Sequence, residues 1–177
     1  MTARRTEDQG PPAGPGIAEA PRDDDAPAGA DPSGPRTLRL RRREERRLKA
    51  GHLWVFSNEV DTRATPLKDC EPGEDGTLLS SSGRFLGYGY VNPASLISVR
   101  LLSRRRQELP DASWLARRIH EALALRSRWL GEARYCRLVH SEGDMLPGLV
   151  VDRYGELLVA QITTAGMERR REAIAEL

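Results

Sequence analysis

Gly76-Thr-Leu-Leu-Ser-Ser-Ser-Gly-Arg-Phe-Leu-Gly-Tyr-Gly-Tyr-Val91 is the stretch on which the fold turns. Two apolar runs flank Ser81-Ser82-Gly83, so residues 76–80 and 84–91 read as a β-hairpin. In the second run Leu86, Tyr88 and Tyr90 alternate with Gly87 and Gly89. Glycines inside a strand mark a bulge or the close approach of another backbone. Ser95 to Leu102 alternates again, with Ile97, Val99 and Leu101 on one side and Ser98 and Arg100 on the other. Upstream, Leu38 and Leu40 alternate with arginines as a short strand, and Arg42 to Leu48 reads as one or two helical turns ended by Gly51. Leu53-Trp-Val-Phe56 is a compact apolar run suited to a buried strand. The first half of the foldable chain is therefore β-rich.

Downstream the period changes. Asp111 is placed to cap a helix of roughly five turns, in which Leu115, Ile119, Ala122, Leu123, Trp129 and Leu130 share one face. Arg117, Arg118, Glu121 and Arg128 lie opposite, and Gly131 closes the helix. Tyr135 to Val139 reads as a strand, and Leu149 to Ile162 as a hairpin around Arg153-Tyr154-Gly155. Ala165 to Leu177 starts another helix, whose apolar stripe of Met167, Ile174 and Leu177 is expected to stand exposed. The stripe ends without a cap, so the chain reads as one cut inside a longer protein, with a marginal second domain.

Composition narrows the class. The first 36 residues hold seven of the twelve prolines and no aromatic. Such a segment cannot bury enough surface to offset its ordering entropy and is expected to be disordered. No apolar run approaches the roughly 20 residues of a spanning helix, and the N-terminus has no secretory h-region. A soluble, cytoplasmic protein without membrane contact is expected. Cys70 and Cys136 make no disulfide framework, and His52, His120 and His140 are scattered, so no metal site is expected. Neither a G-x-x-x-x-G-K nor a G-x-G-x-x-G loop is present. His140-Ser-Glu-Gly-Asp144 could supply a general base in Glu142 or Asp144. A polar turn whose carboxylates cap backbone amides explains it more simply, with Arg137 and Arg153 as partners for the acids.

The 28 basic and 26 acidic residues are unevenly placed. Residues 1–36 carry a net −3, residues 37–49 a net +5, and the rest is neutral. Asp23-Asp24-Asp25 with Glu19 and Asp31 could shield the basic stretch, or serve as a solubilising leader only. The stretch itself, Thr37 to Lys49, has two readings. It is the footprint of a polyanion site, or a solvated helix face with pairs such as Glu45–Lys49. It runs directly into His52, Trp54 and Phe56, where an exposed aromatic could stack on an unpaired base. The other reading of these two aromatics is core.

Three segments together resemble a known family: Gly51-His-Leu-Trp-Val-Phe-Ser-Asn58, Gly87-Tyr-Gly-Tyr-Val-Asn-Pro-Ala-Ser-Leu-Ile-Ser-Val-Arg100, and Arg137 to Gly155 with its Leu146-Pro-Gly148 and Asp152-Arg-Tyr-Gly155. The resemblance, over about residues 37–177, is to the front part of bacterial large-subunit ribosomal RNA cytosine-C5 methyltransferases. Met145 departs from the glycine frequent in that family. Together with composition, the resemblance implies an α+β chain in three parts. The disordered tail that composition predicts spans 1–36. A small, mostly β pseudo-barrel of the PUA type spans 37–104. A strand–strand–helix–strand–strand domain ending in a helix spans 105–177. The family's catalytic Rossmann-like domain, its S-adenosylmethionine site and its catalytic cysteines would be absent, so the chain alone is expected to be inactive and to hold no cofactor. The implied partner is RNA, most simply ribosomal RNA. The groove of PUA domains corresponds by position to Arg41, Arg42, Arg43, Arg46, Arg47, Lys49 and His52. A free-standing RNA-binding or ribosome-associated protein with no enzyme activity is the alternative, and an acidic protein partner a third.

Overall fold

The structure, a computed structural model, describes residues 35–177. The expectation of a disordered tail thus falls almost wholly outside the described residues. The alternation around Leu38 gives β1 (Arg36–Arg39), and the basic stretch forms a single turn, α1 (Arg46–Lys49). β2 (Trp54–Phe56), β3 (Asp75–Leu79), β4 (Phe85–Val91) and β5 (Ile97–Ser103) follow. These five strands form one sheet in the order β1-β3-β4-β5-β2, with β1 parallel to β3 and the other pairs antiparallel. The chain beyond β2 returns so that Val60 bridges Leu40 at the end of β1, and the sheet closes into a pseudo-barrel. Its interior holds Leu38, Leu40, Val55, Leu78, Val99 and Leu101, each fully buried.

The hairpin glycines have the role their pattern implies. A Cβ on Gly89 would lie 2.5 Å from the carbonyl oxygen of Arg100, and the β4–β5 register shifts between Tyr88 and Gly89. Glycine there lets two backbones close at the bulge.

The second unit is built on α2 (Ala112–Leu130), capped as expected by Asp111, whose carboxylate accepts from the Trp114 amide at 2.8 Å. β6 (Tyr135–His140), β7 (Leu149–Tyr154) and β8 (Leu157–Ile162) form an antiparallel sheet in that order. The expected strand–strand–helix–strand–strand order is not found within 105–177. No strand of that span precedes α2, and three follow it. The strands that do precede the helix, β4 and β5, belong to the pseudo-barrel and lend Tyr90 and Leu102 to the second core.

Two further expectations are corrected. Trp129 and Leu130 do not join the helix face that is buried: Trp129 is 72% exposed and Leu130 52%, whereas Trp114 is 1% exposed. The second core takes the first half of α2, Trp114, Leu115 and Ala122, and leaves the last turns outside. The final helix is broken into α3 (Ala165–Glu168) and α4 (Arg171–Glu176). The break turns Met167 fully inward and packs Ile174 against the same core, so the stripe is covered except at Leu177.

The two units meet at Tyr90. Its hydroxyl donates to the carbonyl of Pro147 (2.8 Å) and lies 2.9 Å from the Thr164 hydroxyl. Burial pushes this phenol up to about 12, so it stays a neutral donor. Gly166 packs against the Tyr90 ring so closely that any side chain would overlap it. Arg170 adds an ion pair in which its Nη2 donates to both carboxylate oxygens of Asp75, at 2.7 and 2.8 Å.

Candidate nucleic-acid interface

The residues picked out in sequence around α1 do share one region, but not one role. Arg42, Arg43, Arg46, Lys49 and His52 are exposed. Arg43 sits at φ 71°, in the left-handed region, within the turn that leads into α1. Arg41 is also exposed, yet its Nε donates to the carbonyl of Val60 at 3.1 Å. Arg47 is a structural residue. Its guanidinium donates to Glu59 at 3.1 Å and lies 4.7 Å from the centre of the Phe56 ring. Glu59 is buried, and its other oxygen accepts from the Phe56 amide at 2.7 Å. Arg47 therefore neutralises a buried carboxylate, and a charge so placed is costly to strip of its partner.

Sequence reasoning missed Arg104. Its guanidinium donates to the carbonyls of Leu48 and His52, both at 2.8 Å. It ties Leu48 in α1 to His52 just beyond it, and so fixes His52 at the foot of the strip. Burial lowers its pKa from the usual arginine value. No local pattern marks a partner 52 residues away.

Val55 faces the barrel interior, which turns Trp54 and Phe56 outward on β2. Phe56 is half-buried under Arg47, and Trp54 is 38% exposed. The Trp54 indole donates to Glu142 at 2.9 Å, and Glu142 lies 3.9 Å from Arg100, the cross-strand neighbour of Trp54. Burial raises the Glu142 pKa, but hydrogen bonds from Ser141 and Trp54 outweigh it and hold the carboxyl below its ordinary value. A depressed pKa makes Glu142 a poor proton acceptor. Asp144 is no freer: it is buried, forms a bidentate pair with Arg126 at 2.6 and 2.7 Å, and accepts from the His140 amide. The loop is a fastening, as its simpler reading has it, but the arginines differ. Arg126, not Arg137 or Arg153, holds Asp144. Arg137 pairs with Asp152, and Arg153 donates to the carbonyl of Gly155.

Cys70 is buried, and that burial pushes its thiol up, away from nucleophilic use. Among the described residues no three His, Cys, Asp or Glu side chains cluster to hold a metal ion. No described helix is long and apolar enough to cross a membrane.

With this geometry in hand, the comparisons are informative. Residues 38–104 match the family model of the PUA-like domain. Residues 38–104 are a PUA-like domain. About four-fifths of the chain is homologous to part of ribosomal RNA large subunit methyltransferase I. It is 35% identical over 143 residues to that protein from Shewanella denitrificans, covering 78% of this chain and 35% of the relative. It is also 35% identical over 140 residues to that of Erwinia tasmaniensis, covering 77% and 34%. The chain thus spans about a third of the length of the curated relatives it matches. Among solved structures, "A putative sam-dependent methyltransferase from Streptococcus mutans" superposes with TM-score 0.65 at 19% identity, over 80% of this chain and 36% of that one. A second, "a putative methyltransferase complexed with SAH", gives TM-score 0.66 at the same identity. These two likenesses establish the fold of the matched part.

The described residues do not fit S-adenosylmethionine. No described strand runs through a glycine-rich loop into a helix, the arrangement that offers backbone amides to such a ligand. No step through that cofactor is therefore derived for this chain.

Proposed function

We propose that this chain is the RNA-binding front part of a large-subunit ribosomal RNA cytosine-C5 methyltransferase system, and that it positions ribosomal RNA for a methyl transfer carried out by other residues. The observation that carries this reading is the exposed set Arg42, Arg43, Arg46, Lys49 and His52 in and around α1 of a PUA-like domain. These side chains have no buried carboxylate to neutralise, unlike Arg47, and are available to phosphates. S-adenosylmethionine belongs to the methyl transfer, and this chain contributes the seat of the RNA.

A gel-shift titration of structured ribosomal RNA at several salt concentrations tests it. Neutralising about four phosphates gives a slope of log K against log salt of roughly −3 to −4. Replacing Arg42, Arg43, Arg46 and Lys49 together by Ala is expected to abolish most of that slope. Affinity that ignores salt, or that survives the fourfold replacement, overturns the proposal.

A further inference from the structure

A cavity of about 410 Å³ opens where the two units meet. Asn92 and Ser95 of the β4–β5 loop form one wall, Thr163 and Glu168 the other, and Arg100 lies between. Its size is that of an ordinary small-ligand site. Its polar groups are unevenly satisfied. The Arg100 Nε makes no hydrogen bond and lies 3.9 Å from the Glu142 carboxylate, so Arg100 is anchored by that acid at the edge of the cavity. Asn92 spends its carbonyl oxygen on the Ala94 amide at 3.3 Å, and its NH₂ has no partner among the described residues. The Ser95 hydroxyl likewise has none there.

The chemistry of the walls is selective. Arg100, Asn92 and Ser95 offer donors, which suit phosphate oxygens, a ribose hydroxyl or a base carbonyl. Glu168 offers an acceptor for a base amino group, with Arg171 2.9 Å away to offset its charge. A bare polyanion would meet that carboxylate, whereas a nucleotide carries both kinds of partner.

The cavity is also in line with the basic strip. Trp54 and Arg100 are paired across β2 and β5 and therefore stand on the same side of the sheet. The sequence of groups along that side is Arg47, Phe56, Trp54, Arg100 and the cavity. Trp54 combines an exposed indole with an orientation fixed by Glu142. A rigid, exposed aromatic beside cationic groups is the device by which proteins hold single-stranded RNA.

We propose that this cavity receives one unpaired nucleotide of the RNA, with the adjacent base stacked on Trp54, so that the chain reads a single-stranded segment at the junction of its two units. The inference rests on the RNA-binding reading above, but on residues separate from α1. It assigns selection of unpaired RNA to the junction and leaves general phosphate attraction to the arginines of α1.

The full chain is titrated with a short single-stranded RNA and with a blunt duplex of the same length. The wild-type chain is expected to prefer the single strand. Trp54→Ala, and separately Asn92→Ala with Ser95→Ala, should weaken single-strand binding by about ten- to a hundredfold. Both should leave duplex binding unchanged, which a general loss of folding would not do. Equal affinity of the wild-type chain for both RNAs, or unchanged single-strand affinity in both variants, overturns the junction site. If the α1 replacement still abolishes binding in that case, the RNA-binding reading stands without it. Failure of the wild-type chain to bind either RNA overturns both.

Discussion

The five-stranded sheet and the three-stranded sheet treat their edges and faces in opposite ways. In the first, the bridge between Leu40 and Val60 joins the two ends, and the strands bury their inner side in one core while Tyr90 and Leu102 reach into another. In the second, α2 covers one face, and β8 pairs only with β7. Tyr135, Tyr154, Leu157 and Val159 share the other face by register, and all four are exposed. A closed sheet is stabilised along its whole length, whereas an open one depends on the half that its helix reaches. The difference explains why local order in the second unit rests on fastenings such as Arg126–Asp144 and Tyr90–Thr164.

Stability measurements can break this contrast. The largest effect is expected for Leu78→Ala, inside the closed sheet, at about 2–5 kcal/mol in chemical unfolding. Next comes the joint. Gly166→Ala should cost about 1–3 kcal/mol, because the new methyl meets the Tyr90 ring and one of them must shift. A neutral result there would mean that the two units are not packed through Tyr90. A smaller effect, under about 1 kcal/mol at neutral pH, is expected for Glu142→Gln, since the carboxylate is partly solvated. Its signature is in the pH profile. The folded Glu142 pKa lies below its ordinary value of 4.5, so the stability from its hydrogen bonds is present above that value. It is lost as pH falls through the depressed one. Glu142→Gln should flatten the acid limb of melting temperature against pH, and an unchanged limb would place the acid sensitivity elsewhere. The smallest effect, within about 0.5 kcal/mol, is expected for Leu157→Ala on the open sheet. A loss there as large as that of Leu78→Ala would show that the exposed face is covered in solution.

Much of the fold could be read from local pattern because the causes are local. Ser81-Ser82-Gly83 makes a turn by its own chemistry, Gly87 and Gly89 admit a close backbone, and Asp111 caps the helix three residues on. What escaped depends on neighbours distant in sequence. Periodicity gives α2 a face, but only the position of the sheet decides that Trp114 is covered and Trp129 is not. The break between α3 and α4 follows from packing Met167 and Ile174 onto one core, which no residue within 165–177 announces. The candidate site divides in the same way. Clustered charge located α1, but the partners that separate Arg47 from Arg46 are Glu59 and Phe56, visible only once the chain has folded back. Arg100 and Asn92 lay within a recognisable segment, but nothing in it marked them as lining a cavity, because a cavity is a property of three-dimensional surroundings.

The open edge of β8 has a consequence outside recognition. Leu157-Leu-Val-Ala-Gln-Ile162 contains neither a charge nor a proline, and among the described residues its ladder pairs on one side, with β7. Short apolar segments of this kind seed strand-on-strand stacking between copies when concentration rises. Association between copies is therefore expected to depend on these six residues at the rim of the smaller sheet more than on either core.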